Sequence, residues 1–349
     1  MNMQGRWLGI LLNEVRWQPL RRALLTVSPF IVVFICSHDT HWLTTAALIS
    51  VCTAIAGERL SLAPFGVMLH GVAIMFGFII LVATSNSPPL FIASCAIMAT
   101  MSVWVMSKGH MLRSLGNFTF IPALYLACET TEGTLPQNLA VQAIQALPYM
   151  TIGLLPVILF ASHPHAASAK HPFFWGLPHR RHIQLRLTHT TDYGKRRWEI
   201  EACIAVTFAV GLAATLVEWQ GLDHGQWVIW SAASVVTGEV GTEYKKLYNR
   251  IIGALIGVPS GIIIGWWLPH TPLVYGIGII AGLLTLIAFR RYIVGFIARC
   301  FFIALTLTVG GNSIVIAGER IFNVILGGLI GVTCVFIFHQ LYTYREKIQ

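Results

Sequence analysis

Charged residues are scarce in this sequence of 349 residues. Asp, Glu, Lys and Arg make up 11% of the chain, whereas hydrophobic residues make up 56% and the mean hydropathy is +0.70. Soluble domains usually contain about 25% charged residues. The composition therefore excludes an ordinary soluble protein and predicts an all-α, polytopic membrane protein.

The sequence also lacks the motifs of several common active sites. Aspartate occurs at three positions only, Asp39, Asp192 and Asp223, so there is no paired-aspartate motif, and HExxH is absent. The seven cysteines are scattered through apolar segments without CxxC or another metal-ligand spacing. We therefore expect no enzyme activity, no metal site and no cofactor.

Apolar segments suited to membrane helices recur along the whole chain. A transmembrane helix needs about 20 apolar residues, so about twelve spans fit. The segments lie at 21–36, 42–56, 61–83, 89–106, 115–128, 139–162, 199–218, 226–238, 251–268, 272–289, 293–311 and 317–339. Two of them, 42–56 and 226–238, are shorter than the usual minimum of about 17 residues.

Lys and Arg are distributed asymmetrically between alternate loops. With the N-terminus placed in the cytoplasm, Arg320 is the one basic residue of 23 that falls on the outer side. Basic residues collect in cytoplasmic loops of membrane proteins. Both termini are therefore predicted to be cytoplasmic. The net charge of +9 follows from this topology, and no nucleic-acid partner is expected.

The two halves of the chain share sequence landmarks. Arg16 and Arg197, each followed by Trp, are separated by the same interval as Glu58 and Glu239, each preceded by Gly. An even number of spans per half predicts two parallel six-helix repeats. The expected units are residues 1–162, a cytoplasmic linker at 163–198 and residues 199–349. The linker contains six of the thirteen histidines without a tight metal-ligand pattern, and we expect it to lie on membrane lipid.

Glycine occurs at every fourth position of the ninth predicted helix. Glycine weakens helices in water, but small residues at this spacing let two membrane helices approach closely. The last predicted helix carries a shorter row of the same kind. The glycines with this predicted packing role are Gly253, Gly257, Gly261, Gly265, Gly327 and Gly331.

The second half resembles a known family of membrane transporters. The stretches "HGQWVIWSAASVVTGEVGTEYKKLYNRIIGALIGVPSGIIIG", "RRYIVGFIARCFFIALTLTV" and "ERIFNVILGGLIG" are similar to the fusaric acid resistance (FUSC) superfamily. Bacterial members include exporters of aromatic carboxylic acids, and the superfamily resembles plant malate channels in which two six-helix units form one anion pathway. The resemblance implies a transporter of organic anions in a bacterial inner membrane.

Candidate anion ligands follow from the ionisable residues within the spans. Arg299 lies about two turns inside the eleventh helix, where its guanidinium could hold a carboxylate or extend to the nearby cytoplasmic surface. Arg320 is a second candidate, unless adjacent Glu319 neutralises it. Arg250 precedes the glycine row, and Trp227 opens a helix, where an interfacial anchor is the alternative.

Three further residues are candidates for proton coupling or gating. His70 lies in the middle of the third helix, where it is either a proton relay or a hydrogen-bonded structural histidine. Glu58 and Glu239 occupy matching places at the predicted inner mouth, where they are either gates or partners in loop salt bridges.

The sequence thus predicts a transporter that exports aromatic carboxylic acid anions along a pathway between the two repeats. An anion channel and a non-transporting scaffold or assembly subunit are the alternatives. Membrane lipid and a small organic anion are the expected partners, with a periplasmic adaptor protein as a further candidate. The sequence makes no prediction of oligomeric state.

Overall fold

A computed structural model describes residues 13–60, 62–107, 112–162, 193–236, 243–311 and 314–348. Regular structure in these ranges is helical, apart from an isolated β-bridge between Val15 and Phe289. The predicted linker 163–198 lies largely outside the described residues, and so does Glu239.

Six helices form the first half of the chain. A π-helical turn at Trp42–Ala47 leads directly into the second helix, and a short 3₁₀ turn at Pro136–Asn138 precedes the sixth. The helices are α1 (Trp17–Ser37), α2 (Leu48–Leu60), α3 (Pro64–Thr84), α4 (Pro88–Ser107), α5 (Arg113–Thr131) and α6 (Leu139–Ala161).

Six more helices follow in the second half. They are α7 (Tyr193–Gln220), α8 (Gln226–Val235), α9 (Glu243–Trp267), α10 (Pro272–Ala288), α11 (Tyr292–Val309) and α12 (Ile314–Ile348). Local sequence sets several of the boundaries. For example, Pro272 occupies the first turn of α10, and the Thr271 side chain caps that turn by accepting a hydrogen bond from the Val274 N–H at 3.3 Å.

Among the described residues, nine helical segments are long and apolar enough to cross a membrane. The prediction of an all-helical, multi-pass membrane protein is therefore confirmed. The nine do not include α5, α8 or α10. The second segment is longer than the predicted 42–56, because the helix continues through Glu58 and Arg59 to Leu60. The count of twelve spans and the orientation of the termini stay predictions.

Helix contacts follow the same pattern in both halves. In the first half α3 packs against α5 and α6, α4 against α5, and α2 against α6. In the second half α9 packs against α11 and α12, α10 against α11, and α8 against α12. Between the halves, α4 contacts α7 and α10 contacts α1. These pairings are the ones that two six-helix repeats would make, although the repeat itself stays a prediction.

The glycine row of α9 lies directly against the main chain of α11. A Cβ atom at Gly257 would meet the Ile297 carbonyl oxygen, and one at Gly261 would meet the Phe301 carbonyl oxygen. Gly253 and Gly265 face the same helix. The absence of side chains along this face therefore allows the two backbones to touch.

The shorter glycine row packs in the same way on a different partner. Cβ atoms at Gly327 and Gly331 of α12 would meet the carbonyl oxygens of Val228 and Ala232 on α8. Helix α8 is thereby held close to α12, and the first turn of α8 lies next to Arg320.

A short tie joins the start of the described chain to the turn between α10 and α11. The Arg16 N–H donates to the Ala288 carbonyl at 2.7 Å, and the Arg290 N–H donates to the Glu14 carbonyl at 2.9 Å. The Arg291 guanidinium forms an ion pair with the Glu14 carboxylate at 2.6 Å. These contacts fix the beginning of α11, the helix that carries Arg299.

Candidate functional site

A cavity of about 1120 Å³ lies between the two halves. The first half contributes α2, α5 and the π-helical turn to its wall, and the second half contributes α8, α9, α10, α11 and α12. Along α5 the lining extends from Asn117 to Glu132, a distance of about 22 Å at 1.5 Å per residue. Since the hydrocarbon core of a bilayer is about 30 Å thick, the cavity extends over most of a membrane span.

The two ends of the cavity carry opposite charges. Arg59 and Lys246 line the end that the topology prediction places in the cytoplasm. Glu129, Glu132 and Asp223 line the other end. An anion inside the cavity is therefore attracted toward the cytoplasmic half and repelled from the outer half.

Arg250 of α9 is the best anchored of three arginines between these ends. Its Nε donates to the Tyr292 hydroxyl at 2.9 Å, and its Nη1 donates to the Ser231 hydroxyl at 3.0 Å. The guanidinium carbon lies 5.2 Å from the centroid of the Phe296 ring. Both hydrogen-bond partners are neutral, so the positive charge of Arg250 is oriented by them and not cancelled.

Arg299 of α11 approaches the same phenyl ring. Its guanidinium carbon lies 6.0 Å from the Phe296 centroid, and its Nε donates to the Thr285 hydroxyl at 3.3 Å. The side chain lines the cavity. The choice between an anion ligand and an arginine that extends to the cytoplasmic surface stays a prediction.

Arg320 of α12 has the fewest polar contacts of the three. Its side chain is 2% exposed, and its Nε and Nη1 have no hydrogen-bond partner among the described residues. The Cys300 thiol lies close to this guanidinium, but sulfur is a weak acceptor. The guanidinium carbon lies 4.7 Å from the Trp227 ring centroid, a cation–π contact that does not cancel the charge.

The three arginines converge on one small space. Arg250, Arg299 and Arg320 all line a second, water-sized cavity of about 10 Å³. Within the described parts of the chain, none of the three forms an ion pair with a carboxylate, and that includes Arg320 and its neighbour Glu319. Because unpaired charges inside a membrane protein are expensive, this cluster is suited to bind an anion.

An ion pair connects the two halves at the acidic end. The Nδ1 atom of His224 lies 3.1 Å from the Glu132 carboxylate, and the His224 main-chain N–H donates to the same carboxylate at 3.3 Å. The hydrogen bond to Glu132 raises the pKa of His224 above its ordinary value. Burial alone would raise the pKa of Glu132, but the hydrogen bonds and charge of His224 outweigh burial and lower it.

Trp227 connects this ion pair to the arginine cluster. The His224 ring stacks on the Trp227 ring with centroids 4.7 Å apart, and Arg320 contacts the same ring. Trp227 is 5% exposed. The ring is therefore covered within the helix bundle, and the choice between an anion-site residue and an interfacial anchor stays a prediction.

The structure brings four of the predicted site residues together and places two elsewhere. Arg250, Arg299, Arg320 and Trp227 share the small cavity. His70 is buried within the first half, where it does not line either cavity.

Glu58 likewise lies outside both cavities. Its carboxylate is 3.8 Å from the Arg22 guanidinium, and both side chains are partly exposed. This contact corresponds to the loop salt bridge that the sequence left as the alternative to a gate, although with a different arginine than the adjacent Arg59.

Sequence reasoning missed the cavity face of α5. Asn117, Ile121, Tyr125 and Glu129 follow one another at intervals of four residues and all line the large cavity. Polar residues at three of these four positions, on the least apolar helix of the first half, were the available signal. Glu129 was missed because the predicted apolar segment 115–128 ends one residue before it.

Comparison with known proteins supports the resemblance to the FUSC superfamily. Residues 212–334 match the family described as fusaric acid resistance protein-like. This range contains Trp227 and all three arginines of the cluster. No curated protein and no solved structure matches the chain significantly. The family match and the nine apolar helices together indicate a multi-pass membrane protein of the transporter type.

Proposed function

We propose that this protein is a bacterial inner-membrane transporter that exports organic acid anions, aromatic carboxylates among them, through the cavity between its two halves. One observation supports this proposal above the others. Three arginines without a carboxylate partner among the described residues face a cavity that extends over most of a membrane span. In a scaffold protein such a cluster would lower the stability of the fold without serving a function, because unpaired buried charge is destabilising.

The geometry of the cluster suits a carboxylate. A guanidinium presents several N–H donors in one plane and can bind both carboxylate oxygens at once. Arg320 has two nitrogen atoms without a partner among the described residues, at Nε and Nη1. Arg250 uses Nε and Nη1, and Arg299 uses Nε, for hydroxyl groups of the protein, and both side chains line the cavity.

The direction of transport follows from charge. A membrane potential that is negative inside favours outward movement of an anion by about 2.3 kcal/mol per charge per 100 mV. The basic end of the cavity, which is predicted to be cytoplasmic, would concentrate the anion at the entrance. The acidic end would slow passage of the anion in either direction, so the membrane potential supplies the direction.

Counterflow in proteoliposomes tests this proposal. Vesicles loaded with an unlabelled aromatic or aliphatic carboxylate are diluted into the labelled acid, with and without a pH gradient, and protein-free vesicles serve as the control. We expect the label to accumulate transiently above its external concentration, since a carrier exchanges the two pools. Label that equilibrates without this overshoot would indicate a channel. Uptake equal to that of protein-free vesicles would contradict transport and favour a scaffold.

A further inference from the structure

We infer that the ion pair between His224 and Glu132 is a proton-binding site that holds the outer end of the large cavity closed. A proton on His224 keeps the two halves together at this end, and its loss lets them separate. The inference rests on the proposed function, because it concerns the same cavity, but its test needs no substrate.

The ion pair lies where the two halves meet at the acidic end of the cavity. Glu132 follows α5 of the first half, and His224 lies in the turn between α7 and α8 of the second half. Both residues line the cavity. Any separation of the two halves at this end moves Glu132 away from His224. The cavity therefore opens here only when the ion pair breaks.

Three contacts from the second half converge on the Glu132 carboxylate. The Nδ1 atom of His224 lies 3.1 Å from one oxygen, and the His224 main-chain N–H donates to the other at 3.3 Å. The Gln226 side chain, which is 2% exposed, also donates to this carboxylate. Of the three donors, the His224 ring is the one that gains or loses a proton near neutral pH. The strength of the closure therefore depends on the protonation of one side chain.

The backbone of His224 adopts a conformation that is unfavourable for residues other than glycine. Its φ is 52°, in the left-handed region. Such a conformation persists where surrounding contacts maintain it, and it is common at switch regions. The main-chain N–H of His224 is itself one of the contacts to Glu132. Loss of the positive charge on the ring would weaken the contacts that maintain this turn, so the turn would open more easily.

Most of the charged and titratable groups around the pair are acidic. Cys128 and Tyr125 of α5, Glu218 of α7, Tyr275 of α10 and Arg320 of α12 lie in the surrounding shell. The hydrogen bond to Glu132 is the main cause that raises the pKa of His224, and the charges of Glu132, Glu129 and Asp223 act in the same direction. Burial opposes them without reversing the shift. The acidic surroundings therefore favour the protonated, closed form.

The turn that carries His224 is attached to the helix of Arg320. The His224 ring stacks on the Trp227 ring, which also contacts the Arg320 guanidinium. About one turn further along α12, the Asn323 side chain donates to the Asp223 carbonyl at 3.4 Å. Movement of the turn would therefore displace the ring against which Arg320 rests. Opening of the outer end is in this way connected to the anion site.

The expected size of the effect follows from the exposure of the pair. The side chains of His224 and Glu132 are 17% and 35% exposed. Ion pairs between partly exposed side chains shift an equilibrium by up to about fivefold. Because the pKa of His224 is raised and that of Glu132 is lowered, the pair is charged at pH 6, whereas His224 is largely neutral at pH 8.5. We expect the outer end to be about two- to fivefold more open at pH 8.5.

A cysteine placed inside the cavity measures how open this end is. Ile279 of α10 lines the cavity one helical turn inside Tyr275, so Ile279→Cys reports access from the outer side. Gln137→Cys, in the exposed turn before α6, reports the reactivity of a free thiol at the same pH. Spheroplasts are treated at pH 6 and pH 8.5 with membrane-impermeant methanethiosulfonates, one cationic and one anionic. Mass spectrometry then gives the rate of modification at each position.

The measured quantity is the ratio of the Ile279→Cys rate to the Gln137→Cys rate. We expect this ratio to be about two- to fivefold higher at pH 8.5 than at pH 6 with both reagents. Two reagents are needed because loss of positive charge on His224 would by itself favour the cationic reagent and disfavour the anionic one. A ratio that is equal at both pH values or higher at pH 6, or that changes in opposite directions for the two reagents, would overturn the inference. Absence of modification at Gln137→Cys would also overturn it, because this end would then be cytoplasmic.

Variants identify the group that binds the proton. In the same cysteine backgrounds, His224→Gln and Glu132→Gln should each give a ratio that no longer depends on pH and equals that of the parent at pH 8.5. The exposed His270 precedes α10 and lies outside both cavities, so His270→Gln is the matched control and should keep the pH dependence. Retained pH dependence in His224→Gln or Glu132→Gln, or its loss in His270→Gln, would overturn the inference. The comparison of the two reagents on the parent remains decisive even if one of these variants does not fold.

The labelling test and the counterflow test can fail separately. A pH-dependent ratio in a protein without counterflow would support the proton-sensitive closure and contradict transport. Counterflow together with a ratio that does not depend on pH would support transport and overturn the inference.

Discussion

The contact between α9 and α11 leads to a prediction that can be worked out from distances. In Gly257→Ala the new Cβ would lie 2.7 Å from the Cys300 Cβ and even closer to the Ile297 carbonyl oxygen. Unbonded carbon atoms pack at about 3.5–4.0 Å, so the two helices must separate by roughly 1 Å at this point. Overpacking of this kind costs about 1–3 kcal/mol.

Gly211 of α7 provides the matched control. A Cβ at this position would meet no atom within 4 Å. Both substitutions gain the higher helix propensity of alanine, about 1 kcal/mol, so the difference between them isolates the packing term. We expect Gly257→Ala to lower the melting temperature of the purified protein and Gly211→Ala to leave it unchanged or raise it.

The assay is thermal unfolding in detergent, followed by fluorescence-detected size exclusion. Gly257→Leu should lower the folded yield further, and more than Leu284→Ala on α10 does. Equal melting temperatures for Gly257→Ala and Gly211→Ala would refute the reasoning, because the glycine row would then have no role in bringing the backbones together.

Three other predictions concern the site and the topology. Arg299→Lys should reduce organic-anion transport per inserted molecule in the counterflow assay, because lysine lacks the planar donor group. Arg299→Ala should reduce it by roughly tenfold to hundredfold. Equal rates for wild type and both variants would remove Arg299 from the site. Reporter fusions after Gln349 and within 163–198 should be cytoplasmic, and a fusion near Glu132 should be periplasmic. A periplasmic linker would contradict the parallel repeats. The ion pair between His224 and Glu132 should stabilise the fold most between about pH 4.5 and 6.5. The raised pKa of His224 contributes stability that is lost as pH rises through the folded-state pKa of His224. The lowered pKa of Glu132 contributes stability that is lost as pH falls through the folded-state pKa of Glu132. Melting temperatures of wild type and Glu132→Gln across pH should therefore differ most in this range and less at pH 8.5, and a constant difference would contradict the ion pair.

Composition and periodicity were sufficient to predict the helical membrane fold. The segments at 61–83, 89–106 and 139–162 correspond to α3, α4 and α6 within a few residues. These helices are apolar on most sides, so hydropathy alone identifies them. The glycine spacing of α9 was equally visible, since a face of small residues needs no knowledge of its partner.

The composition of the site depended on contacts that no local pattern contains. Arg250 was predicted as a candidate anion ligand ahead of the glycine row, but its hydrogen bond to Tyr292 joins residues 42 positions apart. The ion pair between Glu14 and Arg291 joins residues 277 positions apart. Such pairs are set by how the helices pack, so the sequence could name candidate arginines but not their grouping around Phe296.

The contact of the α9 and α11 backbones also fixes the distance between these two helices. Arg250 lies on one of these helices and Arg299 on the other, and two main chains in direct contact cannot slide apart without breaking the packing between them. The main-chain positions of the two arginines are therefore set by the glycines, and hydrogen bonds to Tyr292, Ser231 and Thr285 orient their guanidinium groups. An anion that contacts both arginines would therefore be held between two helices that do not move apart.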